Sequence, residues 1–240
     1  VQEVDITTGQ SVWKWKATQL EDNNTGAVPF GGERNPDNTV FIFDTSMTRD
    51  SKLVATAASD GTARLLDRAS AKPVLVLQGH TRFVTSCAFN HGQQPQAPSQ
   101  QFSGGSQGGG VLLATTSGDC TVCVWDVRKT TQCLYRYGDH EKTVFSSSFS
   151  HNGRFLYTCS SDCSMNYYDM QTGDFCENVR LRQYPILNIA VSRSGTVALC
   201  GGSTTAGSTL VWVVKGLNGK PARSSSTTTS SIASAPTAAI

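Results

Sequence analysis

The chain has 240 residues, 38% hydrophobic and 16% charged, with a net charge of +2. That length suits one large domain with a sizeable core. No stretch concentrates Lys or Arg, which excludes the footprint expected for nucleic acid or an anionic membrane surface. The longest apolar runs fall far short of a bilayer span, and no signal-peptide pattern opens the chain. Val1 stands where Met would open a full-length chain, so a fragment or processed form is expected.

Taken in order, the chain reads as short strands broken by turns. "VDITTGQ" (4–10) and "SVWKWK" come first, the second an outer strand with alternating lysines. Residues 17–38, "ATQLEDNNTGAVPFGGERNPDN", form an insert before the strand-like "TVFIFD". "VATAASDGTARLLDR" (54–68) follows, then Gly79-His80 ahead of "FVTSCAF". A second insert, 92–110, is rich in Gln, Gly, Ser and Pro. Next come "LATTSGDCTVCVWDV" (113–127), Gly138-Asp139-His140, "TVFSSSF" and the Asn-Gly hairpin turn "SHNGRFL". "LYTCSSDCSMNYYDM" (156–170) and "STLVWVV" (208–214) complete the strand-like part. Residues 216–240 are dominated by Ser, Thr and Ala and cannot bury enough apolar surface to order themselves.

These segments repeat. Residues 113–127 and 156–170 align without a gap at an offset of 43, placing Asp119 on Asp162, Trp125 on Tyr168 and Asp126 on Asp169. Residues 54–68 put Asp60, Leu66 and Asp67 in the same slots, at an offset of 59 that the second insert explains. Trp212 lies 44 residues after Tyr168, and Val4 takes the same slot in a partial opening copy. The order Gly-His, strand, turn, strand, Asp turn, strand, Trp-Asp resembles the WD40 repeat. The resemblance covers roughly residues 1–215, strongest in the second and third full copies.

That resemblance implies an all-β propeller, with about four blades plus part of a fifth. Such propellers usually have seven blades, so two to three are expected to be missing upstream. The isolated chain should then aggregate or close as a strained smaller ring, which size-exclusion chromatography with light scattering distinguishes from a monodisperse monomer. The family also implies a structural hydrogen-bond network: Asp119 with His80, Trp125 and either Thr115 or Ser117, and Asp162 with His140 and either Thr158 or Ser160. Tyr168 in place of Trp leaves the second network open to change.

Several reactive readings are weaker than this structural one. Cys120-x2-Cys123 and Cys159-x3-Cys163 superficially resemble a zinc site. However, Cys120 falls in a turn and Cys123 in a strand, where residues three apart face opposite ways. No metal or cofactor is therefore expected. His80 and His140 already have places in the repeat, so a Cys-His-Asp nucleophilic site is not expected either. The eight cysteines mostly sit in apolar alternations, as small buried thiols of a reducing, intracellular compartment.

The functional expectation is a non-catalytic scaffold for peptides or partner proteins, with no small-molecule substrate. The resemblance places upper-face contacts at Phe83, Thr85, Thr143, Phe145, Ser59, Gly118 and Ser161. Phe83 and Phe145 are candidate anchors, since aromatics carry disproportionate binding energy; the competing reading makes them core. A narrower alternative is a substrate receptor of a cullin-type ubiquitin ligase. It rests on the box Trp125-Asp126-Val127-Arg128, with Asp126 and Arg128 as adaptor contacts on the lower face. The enzyme alternative would need a metal or a reactive cysteine.

Overall fold

Runs rich in Val, Thr, Ala and aromatic residues alternate with Gly, Asn and Asp, so the chain breaks into short strands that pair with their sequence neighbours. The computed structural model describes residues 2–4, 11–14, 40–92, 111–128, 132–181, 184–202 and 209–214. Apart from Gly92, the two inserts and the 216–240 tail lie outside the described residues.

The strands are all antiparallel, and no helix occurs among the described residues. β1 (Gln2–Val4) and β2 (Ser11–Lys14) form a two-stranded sheet. β3 (Ile42–Met47), β4 (Leu53–Ala58), β5 (Thr62–Asp67) and β6 (Lys72–Gln78) form the first four-stranded blade. β7 (Val84–Phe89), β8 (Leu112–Ser117), β9 (Val122–Asp126) and β10 (Cys133–Tyr137) form the second. β11 (Val144–Phe149), β12 (Phe155–Ser160), β13 (Ser164–Asp169) and β14 (Asp174–Arg180) form the third. β15 (Ile186–Val191), β16 (Val197–Gly202) and β17 (Thr209–Val214) form a three-stranded sheet. These are propeller blades, each an up-and-down meander.

The core lies between blades rather than within any one of them. One buried cluster joins Leu65 and Leu77 of the first blade to Leu113 and Trp125 of the second. Another joins Val122 and Tyr137 of the second to Leu156 and Tyr168 of the third, and a further one joins Tyr157 and Met165 to Ile186 and Leu199. A middle strand is consequently covered on both faces, and every residue of β8, β9, β12 and β13 is buried. Continuous apolar runs such as "TVCVW" follow from this double burial. Each large side chain so buried contributes about 1.5–3 kcal/mol.

The first strands β3, β7, β11 and β15 contact one another in succession and are the inner strands. Side chains bridge their backbones: Asp44 accepts from the Cys87 amide at 3.1 Å, and Ser46 from the Phe89 amide at 3.1 Å. Thr85 donates to the Val144 carbonyl at 2.5 Å. All four inner strands also shift register at one shared position, between residues 42 and 44, 84 and 86, 144 and 146, and 186 and 188. Such a bulge re-aims the extra residue out of the ladder, here Phe43, Thr85, Phe145 and Leu187.

The second insert springs from a closed stem, because the Asn90 amide donates to the Leu112 carbonyl at 2.9 Å. Loop length beyond a closed stem enters stability only logarithmically. Deleting residues 93–108 should leave a cooperative denaturant melt within about 1 kcal/mol of the parent; loss of the transition would show that the segment packs as structure.

Candidate functional site

The turns between second and third strands, and the links from outer strand to next inner strand, emerge at one end of each blade. In the second blade a buried chain of side chains ties these two connections together. His80 Nδ1 lies 3.1 Å from Asp119 Oδ2, and Nε2 lies 2.9 Å from Thr115 Oγ1. The Trp125 indole N–H donates to the same Thr115 oxygen at 2.9 Å. Asp119 also accepts from the Thr121 hydroxyl at 2.7 Å and from the Thr81 amide at 2.9 Å. With its proton on Nδ1, His80 donates to Asp119 and accepts from Thr115, so every member is satisfied. Of the two candidate hydroxyls, Thr115 therefore occupies the network. Ser117 instead donates to the Phe83 carbonyl at 2.9 Å.

The glycine of Gly79-His80 has a steric reason. A Cβ there would stand 2.8 Å from Trp125 Cη2. In the third blade Asp139 holds the position before the histidine, and Gly138 lies one residue earlier, where an added Cβ would meet nothing within 4 Å.

The third blade keeps the His-Asp link. His140 Nδ1 lies 3.0 Å from Asp162 Oδ2 and Nε2 lies 2.9 Å from Thr158 Oγ1. Tyr168 changes the rest. Its ring stacks on Tyr137 of the second blade at 3.9 Å and 21°, and Tyr135 and Phe175 extend the aromatic seam. The first blade has no His in this position. There Arg64, 2% exposed, reaches the equivalent Asp60 from within β5, and Thr62 donates to Asp60 at 2.7 Å. The guanidinium thus supplies the donor that histidine supplies elsewhere. The strand slot of Arg64 is held by Cys123 and Asn166 in the other copies, so repeat alignment alone did not single it out.

The expected upper-face positions divide into two groups. Phe83, Thr85, Thr143, Phe145 and Ser161 are half-buried at the ends of the blades. Ser59 and Gly118 are buried. The Ser59 hydroxyl turns inward to accept from the Phe41 amide at 2.9 Å. Gly118 is roofed by Phe83, whose ring would stand 2.5 Å from an added Cβ.

Three further apolar residues were missed. Phe41 is 55% exposed, Phe43 41% and Leu187 46%. Phe43 and Leu187 share the bulge level of Thr85 and Phe145, and Phe41 lies two residues earlier, equivalent to Phe83. The Phe43 and Phe83 rings meet edge to face at 6.0 Å across the seam. The Gly-His marker that pointed to the other blades is absent before β3 and β15. The equal spacing from Phe43 to Asp60 and from Phe145 to Asp162 is the signal that would have found Phe43.

The reactive readings find other geometry. Cys120 and Cys163 adopt φ of 69° and 68° in the turns where the first blade uses Gly61, while Cys123 and Cys159 are buried in strands. No group of three or more His, Cys, Asp or Glu among the described residues is placed to hold a metal. The Asp119-His80-Thr115 arrangement has triad-like distances. Its hydroxyl is fully buried and committed to the indole, so no substrate reaches it. At the opposite end of the blade, Asp126 is buried and caps the Arg128 amide at 3.2 Å, leaving the Arg128 side chain exposed.

Two predictions test the network. Trp125→Ala should cost about 3–5 kcal/mol in a denaturant melt, as for other large buried aromatics; a loss below about 1 kcal/mol would show that the ring is not part of the core. Burial alone would raise the Asp119 and Asp162 carboxyls. The histidines, the Thr121 or Ser164 hydroxyl and the Thr81 or Glu141 amide outweigh burial and hold both well below the ordinary carboxylate range. A depressed folded-state pKa stabilises above the unfolded value and is lost as pH falls. Stability should therefore drop below about pH 4, and less steeply in Asp119→Asn, as read from urea melts at several pH values.

The sequence profile described as "WD domain, G-beta repeat" matches residues 71–126 and 131–169. Those spans run from β6 through β9 and from β10 through β13, so each begins with the outer strand of the preceding blade. The chain is 26% identical to apoptotic protease-activating factor 1 of Danio rerio over 178 residues, which is 74% of this chain and 12% of that protein. It is 25% identical to nuclear distribution protein PAC1 of Arthroderma otae over 177 residues, 68% of this chain and 36% of the relative. Pre-mRNA-processing factor 19 of Mus musculus is 28% identical over 124 residues, 52% of this chain and 21% of that protein. The chain thus spans only 12% to 36% of the length of these relatives. Repeat spacing, blade topology and profile match converge: the chain carries WD40 repeats over residues 71–126 and 131–169.

Proposed function

We propose that the chain is a non-catalytic, intracellular scaffold that binds a peptide or partner protein across the upper ends of its blades. The apolar set formed by Phe41, Phe43, Phe83, Phe145 and Leu187 carries this reading. Phe43, Phe145 and Leu187 hold the bulge level of three inner strands, Phe41 and Phe83 lie two residues before it in the first two blades, and Phe41, Phe43 and Leu187 are exposed. Arg82 lies over the Phe83 ring at 5.8 Å, adding a charged edge to an apolar surface. Rigid aromatics beside a polar rim match the composition of interface centres. The relatives are named as a protease-activating factor, a nuclear distribution protein and a pre-mRNA-processing factor, which supports a binding role over a catalytic one. Nucleic acid and membranes are not among the partners proposed.

A narrower reading makes the chain a substrate receptor of a cullin-type ligase, docking through Arg128; the exposure of that side chain favours it.

Affinity capture from the source organism with wild type, Phe43→Asp, Phe145→Asp and Arg128→Ala separates the readings. The scaffold reading expects the two upper-end variants to lose partners that wild type retains, with melts within about 1 kcal/mol of wild type. Partners kept by both variants would overturn the upper-end reading. Loss of a cullin adaptor in Arg128→Ala alone would establish the lower-face reading, and its absence from the wild-type capture would remove it.

A further inference from the structure

Each of the eight cysteines is a free thiol, and most are packed singly. Cys123 and Cys133 differ, because they lie on neighbouring strands of one blade. β9 and β10 pair with Cys133 opposite Trp125 and Arg136 opposite Cys123. Residues opposite one another share a face, as do residues two apart on a strand. Cys123 and Cys133 are therefore diagonal neighbours on the Trp125 face, with a bulge at Leu134 between the paired positions. Both pack in the same apolar cluster as Trp125, and the Cys133 S–H donates to the Tyr135 carbonyl at 2.7 Å. Cys123 is fully buried, whereas Cys133 is half-buried on the outer strand, packed against the seam that holds Trp125.

We propose that Cys133 and Cys123 form an oxidative modification site, at which a hydroperoxide oxidises the accessible Cys133 and the buried Cys123 resolves it to a cross-strand disulfide.

The two sulfurs differ in the way this division of labour requires. The neighbouring Cys123 side chain holds the Cys133 thiol below its ordinary value despite burial, and the Arg136 charge acts in the same direction. The nearby Cys133 side chain, together with burial, holds Cys123 well above its ordinary value. The thiolate is the attacking species, and a low, accessible thiol beside a resolving cysteine defines a redox-sensitive pair. Exposure alone would instead select Cys176, the exposed cysteine of the described set, but burial and nearby acids raise that thiol. Burial likewise raises Cys87, Cys120 and Cys159.

The chemistry balances with hydrogen peroxide as oxidant. The Cys133 thiolate attacks one peroxide oxygen and the O–O bond breaks. Cys133 becomes a sulfenic acid, and hydroxide leaves. The Cys123 sulfur then attacks the Cys133 sulfur, giving its proton to the departing hydroxyl. The S–O bond breaks and an S–S bond forms. Overall two thiols lose two electrons and two hydrogens, and one peroxide becomes two waters. The product joins β10, whose only partner in its sheet is β9, covalently to the strand that carries Trp125.

The test uses the full chain, treated with stoichiometric hydrogen peroxide, alkylated and mapped by mass spectrometry. The expected result is the loss of two alkylatable thiols, a linked peptide pair containing Cys123 and Cys133, a mass lower by two hydrogens, and reversal by dithiothreitol. In Cys123→Ser, dimedone should trap a sulfenic acid at Cys133. In Cys133→Ser, Cys123 should remain alkylatable; Cys133→Ala replaces that variant if its circular dichroism departs from wild type. Sulfenic acid appearing first at Cys176 while Cys123 and Cys133 stay reduced would overturn the proposal. So would oxidation of Cys133 to a sulfinic acid without the linked peptide, or a linkage that forms only in urea.

Discussion

Thr115 Oγ1 is the atom on which the second blade converges. It receives the indole of Trp125 from one strand and faces the ring of His80 from the inter-blade link. Through His80 it is joined to Asp119 in the next turn. A buried polar atom with a missing partner costs more than a typical hydrogen bond gains. The chain of contacts therefore holds turn, link and strand in one arrangement or none. This is why a small polar set recurs in a protein whose core is otherwise apolar.

The core itself lies in the seams between blades, and each seam has its own solution. Between the first and second blades it is Trp125 with aliphatic partners; between the second and third it is a stack of tyrosines. The sequence repeat is offset from the blade by one strand, so each repeat also supplies the outer strand of the blade before it. Blade-to-blade continuity is thereby covalent as well as packed. Rigid inner strands then present the bulge residues Phe43, Phe145 and Leu187 at one level, as a fixed surface.

The first and third blades show how the same demand accepts different chemistry. A carboxylate buried in the turn needs a cationic or N–H donor. His140 meets that need in the third blade and Arg64 in the first. Tyr168 takes the tryptophan slot without restoring an indole donor, and stacking on Tyr137 takes over the packing. The turn geometry survives each exchange because the donor and the ring act on different neighbours.

The blade count, the strand order, the Asp and His positions and the turn at Asn152-Gly153 were legible in the sequence. They depend on local periodicity and on residues whose backbone preferences are strong, and both repeat at fixed spacing. The choice of Thr115 over Ser117, the inward turn of Ser59, the burial of Gly118 under Phe83 and the rescue of Asp60 by Arg64 were not legible. Each depends on which side chain a neighbouring blade brings within hydrogen-bond or van der Waals distance. Likewise, Cys123 and Cys133 read as separate buried thiols along the chain, and only the register of β9 against β10 makes them a pair. Periodicity specifies which face of a strand is buried, whereas contact across a seam or between strands is set by register, bulges and packing that no single segment encodes.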